Sequence, residues 1–237
     1  MMKKYLFISM FFLLTALISC KEDVNISKGL VAYYPFDGDA KDYSGNNNNG
    51  VVNGAVLTTD RFGRENSAYS FDGEKATIEA TAKGMPAIDS PLSISWWFMI
   101  STKPTFINES DADNMIALVD SGKGIGIQFG FRAPGYETLG FDTWNWGGNT
   151  ILEAKLPDVG KWHHCIYAFN GTVHKFYLDG IEISESTEKT QNGLPTILMI
   201  GNYPNGNQYF AGDMDAIRIY NRELNQDEVN YLFNERK

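Results

Sequence analysis

The sequence predicts an all-β fold: an antiparallel β-sandwich of the jelly-roll kind, finished by one short C-terminal helix. Three observations carry that expectation. Short runs rich in aromatic and β-branched residues recur along the chain, Gly, Asn and Asp punctuate the spaces between them, and helical periodicity is almost absent before the last dozen residues. The 15 Phe, 12 Tyr and 5 Trp among 237 residues supply a large apolar core, and the 23 Gly supply turns.

The chain opens on a short basic start, Met1 to Lys4, followed by an apolar segment, Tyr5 to Ile18. That segment is too short to cross a bilayer core comfortably and reads as an export signal. It closes on Leu17-Ile18-Ser19-Cys20, which resembles a bacterial lipobox with Cys20 as the lipidated first residue of the mature chain. The next three residues, Lys21-Glu22-Asp23, resemble the sorting signal that sends lipoproteins to the outer leaflet of an outer membrane. The expected organisation is therefore residues 1–19 as signal peptide, 20–28 as lipidated cysteine and tether, and 29–237 as one domain. An extended tether from Lys21 to about Gly29 reaches roughly 30 Å, which keeps the domain near an outer-membrane surface, facing the cell exterior.

Within the domain the expected strands are Leu30–Phe36, Ala68–Phe71, Ala76–Glu79, Leu92–Ile100, Met115–Val119, Ile125–Phe131, Trp162–Phe169, Val173–Leu178, Thr196–Ile200 and Met214–Tyr220. Asn170-Gly171 and Asp179-Gly180 are tight-turn dipeptides that favour hairpins. Ser93-Ile94-Ser95-Trp96-Trp97-Phe98 begins alternating and then becomes continuously apolar, as a central strand covered on both faces over part of its length would. The one helix is expected at the end, where Asn225 and Glu228 form a capping-box pattern and Val229, Leu232 and Phe233 recur at helical spacing. It is expected to pack on a sheet edge.

Charge and cysteine content narrow the function. A formal net charge of −9 disfavours nucleic acid or an anionic lipid surface as a partner, since either requires clustered Lys and Arg. Of the two cysteines, Cys20 is the anchor and Cys165 has no disulfide mate, so no cysteine zinc site is available. Cys165 reads as a small buried apolar residue.

Several motifs together carry a family resemblance. They are Gly29-Leu30-Val31-Ala32-Tyr33-Tyr34-Pro35-Phe36-Asp37-Gly38, Asp42-Tyr43-Ser44-Gly45-Asn46-Asn47-Asn48-Asn49-Gly50, Tyr69-Ser70-Phe71-Asp72-Gly73, Lys161-Trp162-His163-His164, Phe176-Tyr177-Leu178-Asp179-Gly180, and the run from Phe210 to Leu224 around Asp215. In this order they resemble the laminin-G-like domains of the concanavalin A-like lectin/glucanase superfamily, from about Gly29 to the C-terminus. The resemblance implies two antiparallel sheets and, commonly, a structural calcium ion on the rim. The matching positions for its oxygens are Asp37, Asp42, the backbone at Gly73, and Asp215, although Ala216 stands where the family pattern carries a second aspartate.

Related glucanases carry Glu-x-Asp-x-x-Glu on one strand, and retaining hydrolysis needs two carboxyls about 5 to 5.5 Å apart. No such spacing occurs here. Asp179 and Glu182 straddle an Asp-Gly turn, where solvent exposure is expected. His163 and His164 are adjacent on a strand and point to opposite faces, so with His174 they read as packing and hydrogen-bonding groups. The expectation is a non-enzyme.

Glycan binding has better support in the residues. The stretch from Tyr136 to Asn149, read as loop-rich, holds Tyr136, Trp144, Trp146 and Asn149, combining ring faces for sugar CH groups with amides for hydroxyls. Tyr203 and Tyr209, in the Asn- and Gly-rich segment before the last strand, form a second candidate. The expected function is a non-catalytic, lipid-anchored surface protein with a lectin-like domain for glycan or polysaccharide. The alternatives are a protein-binding adhesin or assembly subunit and, further off, a glycoside hydrolase with unfamiliar catalytic residues.

Overall fold

The computed structural model describes residues 24–102, 112–132, 138–144, 150–204, 206 and 208–236. Fifteen strands precede one helix among these residues. They are β1 (Leu30–Tyr34), β2 (Val51–Asn53), β3 (Val56–Thr58), β4 (Ala68–Asp72), β5 (Thr77–Thr81), β6 (Leu92–Ile100), β7 (Ala112–Asp120) and β8 (Ile125–Arg132). There follow β9 (Thr138–Trp144), β10 (Thr150–Lys155), β11 (Trp162–Phe169), β12 (His174–Leu178), β13 (Ile181–Ser186), β14 (Ile197–Ile200), β15 (Ala211–Tyr220) and α1 (Gln226–Asn234).

The strands form two antiparallel sheets facing each other. The eight-stranded sheet runs β13-β12-β11-β6-β15-β4-β3, with β1 also on β15, and the seven-stranded sheet runs β10-β9-β8-β7-β14-β5-β2. Alternation explains the shared core. Leu92, Ile94, Trp96, Phe98 and Ile100 of β6 point inward, as do Ile116 and Leu118 of β7, Ile127, Phe129 and Phe131 of β8, and Leu198 and Ile200 of β14. Trp96 meets Phe129 at 5.2 Å between ring centroids, Phe129 meets Phe141 at 4.8 Å, and Phe141 meets Tyr167 at 4.3 Å. These rings bridge the two sheets, and Cys165 is fully buried among them.

Two expectations need correction. The stretch around Tyr136 to Asn149 is not simply loop, because Thr138–Trp144 is β9 and pairs along β8. Its Leu139 and Phe141 face the core while Gly140 and Asp142 alternate outward; the weak strand propensity of Gly and Asp hides that period of two. The helix packs on a sheet face, not an edge. Val229 and Leu232 of α1 and the preceding Leu224 sit on Ile166 and Ala168 of β11, Tyr177 of β12 and Tyr220 of β15. Its capping box is as expected, with Asn225 Oδ1 accepting from the Glu228 backbone N–H at 3.0 Å and Glu228 Oε2 from the Asn225 N–H at 3.0 Å. The double covering expected of β6 is also present, with the core on one side and, on the other, Trp97 stacked against His164 and Phe233.

Candidate functional site

Register determines what the seven-stranded sheet presents on its outer face. Val51, Glu79, Met199, Ala117, Gln128, Asp142 and Thr150 are successive cross-strand partners, one from each strand. Beside that row lies a second, Thr81, Ile197, Val119, Gly126 and Trp144. Ala117, Val119 and Met199 form a small apolar cluster there, with Ile197 and Tyr203 packed against it.

A groove of about 630 Å³ opens over these rows. Its floor is Val119, Ile197 and Met199, one wall is Tyr203 and Pro204, and Glu79, Ser121 and Gln208 supply polar groups at the rim. The wall is braced by a buried amide: Asn202 Oδ1 accepts from the Gln208 backbone N–H at 3.1 Å, and Asn202 Nδ2 donates to the Gly206 carbonyl at 3.1 Å. Burial pushes the Tyr203 phenol up to about 12, so it stays a neutral hydroxyl. Gly126 makes room for it. A Cβ at that position would stand 2.8 Å from the Leu118 carbonyl oxygen and 3.4 Å from the Tyr203 hydroxyl.

The expected binding residues are therefore partly gathered. Tyr203 lines the groove, and Trp144 ends β9 directly opposite Gly126 in the second row. Tyr209 does not line the groove; its backbone bridges to Asn114. Tyr136, Trp146 and Asn149 lie outside the described residues. Met199, Ile197, Val119, Glu79 and Gln208 were not singled out from sequence, nor was Gln128, which is buried with no hydrogen-bond partner for Oε1 among the described residues. The available signal was that Met115–Val119 and Thr196–Ile200 are apolar at both parities, so each strand must cover something on its outer face as well.

The three carboxylates expected for calcium already have partners, and Gly73 is engaged through its backbone N–H. Asp42 Oδ1 accepts from the Tyr33 and Ser44 backbone N–H groups at 3.0 and 2.9 Å, and its Oδ2 from that of Asn48 at 3.0 Å. Asp37 pairs with Arg64 at 3.1 Å, and the Gly73 N–H donates to the Phe210 carbonyl at 3.1 Å. Asp215, fully buried, pairs with the guanidinium of Arg61. That guanidinium lies 4.4 Å from the ring centroid of Phe62 and 4.6 Å from that of Trp97. A cation thus already meets Asp215, and these residues as arranged do not fit a calcium cage of several convergent oxygens.

His163 and His164 lie on β11 in the eight-stranded sheet, on opposite sides of it. His163 Nδ1 is 2.8 Å from Asp179 Oδ2, and the His164 backbone N–H donates to Asp179 Oδ1 at 2.9 Å. Asp179 is half-buried, not the exposed turn residue expected, because its carboxylate folds back across the β11–β12 hairpin to hold the histidine pair. His164 Nε2 lies 2.9 Å from Ser95 Oγ. Complete burial, with Arg61 and Arg218 nearby, lowers the His164 pKa to about 3.

Two facing antiparallel sheets with this strand order make a β-sandwich of the jelly-roll class. The chain belongs to the Concanavalin A-like lectin/glucanases superfamily, whose Laminin_G_3 profile matches residues 72–230. It is similar in fold to domain 4 of AbnA, a GH43 extracellular arabinanase from Geobacillus stearothermophilus solved in complex with arabinotriose. That match has 18% identity and a TM-score of 0.68, and covers 86% of this chain and 97% of the other. It is similar also to the binding domain of Paraclostridial Mosquitocidal Protein 1, at 19% identity and a TM-score of 0.67, with 89% and 53% covered. The binding domain of botulinum neurotoxin serotype D matches at 15% identity and a TM-score of 0.69, with 87% and 52% covered. This chain thus spans about half the length of those two toxin domains.

The neutral state of His164 gives a signed pH dependence. Its folded pKa of about 3 lies below the ordinary 6.5, so in that window the unfolded chain binds a proton that the folded chain does not. Stability falls as pH falls through the window, by up to about 1.4 kcal/mol per pH unit. His164→Phe, which keeps a ring between Trp97 and Phe233, should reduce that slope by about one proton. Denaturant melts at about pH 6.5 and about pH 4.5 measure it, and equal slopes in the two proteins would contradict it.

Proposed function

We propose that this protein is a non-catalytic, lipid-anchored surface protein that binds glycan in the groove over β5, β14 and β7. The observation that carries the reading is the groove's composition, an apolar floor of Val119, Ile197 and Met199 walled by Tyr203, with Ser121, Gln208 and Glu79 at the rim. A sugar ring has one face of CH groups and an equator of hydroxyls, and this surface offers partners to both. The second row lengthens the site. From Ile197 to Gly126 is two strand spacings, about 9 to 10 Å, enough for about two sugar rings lying across the strands.

The non-catalytic part rests on the sequence, which carries no Glu-x-Asp-x-x-Glu spacing of the kind related glucanases use. The arabinotriose complex of the AbnA domain adds that a sandwich of this fold accommodates a short glycan in another protein. The surface placement rests on the Cys20 motif. A protein-binding reading draws its support from the toxin binding domains of similar fold, and the same assays separate the two.

On an array of polysaccharides and oligosaccharides, the protein should be retained without release of reducing ends. Tyr203→Ala should weaken retention about tenfold, the equivalent of roughly 1.4 kcal/mol, with a small change in Tm. Silence across the array for a folded protein would favour a protein partner, and released sugar would make it an enzyme. Because Arg61 already neutralises Asp215, a chelator should leave Tm unchanged; a fall reversed by added calcium would reveal a metal site. Cys20→Ser should move the protein from the membrane fraction to the soluble one, and an unchanged distribution would remove the lipid anchor from the account.

A further inference from the structure

We infer that the groove selects uncharged glycans and rejects those carrying uronate or sulfate; this rests on the glycan-binding reading above. Among the described lining residues Glu79 is the one carboxylate, and no Lys, Arg or His is present. The two outer rows repeat the pattern. Glu79 and Asp142 are their ionisable members, at the second and sixth places of the seven-residue row.

Among the described residues, Lys123 is the cation next in sequence to the groove lining. Lys123 precedes the lining residue Gly124, but its Nζ is 3.0 Å from the Asn192 carbonyl and takes up that acceptor. Glu79 is exposed and forms no salt bridge among the described residues, so its negative charge is not neutralised locally. The protein as a whole adds a formal charge of −9.

For a neutral sugar this arrangement is favourable. A carboxylate only accepts hydrogen bonds, and a sugar hydroxyl can donate to Glu79 while Gln208 both donates and accepts. For a uronate it is unfavourable twice over. The ligand carboxylate would lose water on the apolar floor without a cation to pair with, and it would meet a like charge at Glu79. Two like charges about 4 Å apart in water already weaken binding by about fivefold, and the lower dielectric of a groove raises that factor.

The test compares neutral pentose and hexose oligosaccharides with oligogalacturonates of matched length, by calorimetry on the whole protein and on Glu79→Gln. Neutral ligands should bind at least about fivefold more tightly, and the ratio of the two affinities should fall toward one in Glu79→Gln and at raised salt. Uronates that bind as tightly as neutral ligands would overturn the selectivity while leaving glycan binding intact. An unchanged ratio in Glu79→Gln would overturn it too. If neither class binds a protein that melts cooperatively, the glycan reading fails and the selectivity fails with it.

Discussion

The strand Ala211–Tyr220 is shared by three neighbours, and a buried ion pair sits at the bend that lets it be shared. Its first half pairs with β4, its second half with β1, and β6 runs along both. The change of partner falls at a bulge, where the β6 register shifts between Asp215 and Arg218 and Ala216 takes a φ of 51°. Asp215 points its carboxylate into a fully buried place there, and burying a lone charge is costly. Arg61, from the connection between β3 and β4, supplies the counter-charge with its guanidinium against Phe62 and Trp97. Removing either partner of such a pair costs about 3 to 5 kcal/mol, far more than a surface pair contributes.

The outer face of the eight-stranded sheet is covered in part: α1 lies on it, Trp97 stacks on His164 and Phe233, and a cavity of about 270 Å³ lined by Arg61, Trp97 and Phe233 remains beside them. Arg218 ties the end of the chain down by pairing with Glu235 at 2.8 Å while lying over Tyr33. The seven-stranded sheet carries no helix on its outer face among the described residues, so its apolar outward positions at Val119, Ile197 and Met199 line a groove. The larger groove and the smaller cavity thus lie on opposite faces of the sandwich.

Much of this was legible in the sequence. Alternation gave the long strands, because inward residues such as Ile94, Trp96 and Phe98 are apolar at every second place. Asn225 and Glu228 gave the helix start through local chemistry. The short strands β2, β3 and β13 were not readable, since three to six residues with exposed side chains carry no period that distinguishes them from turns. Tyr203 was readable as an aromatic in a polar loop. Its partners were not, because the rows joining Glu79, Met199, Ala117 and Gln128 depend on register between strands far apart in sequence. The same holds for Asp179, which reaches His163 only when β11 and β12 fold together, and for Arg61 and Asp215, 154 residues apart.

The ligand surface, on this reading, lies over β14 and not on the helix-covered side. Methionine-methyl NMR during titration with neutral oligosaccharides tests it most directly, because Met199 lies in the groove and Met99 lies on β6 in the opposite sheet. A saturable shift of the Met199 methyl signal with Met99 unmoved is the predicted result. Saturable binding that moves Met99 and leaves Met199 in place would contradict the account.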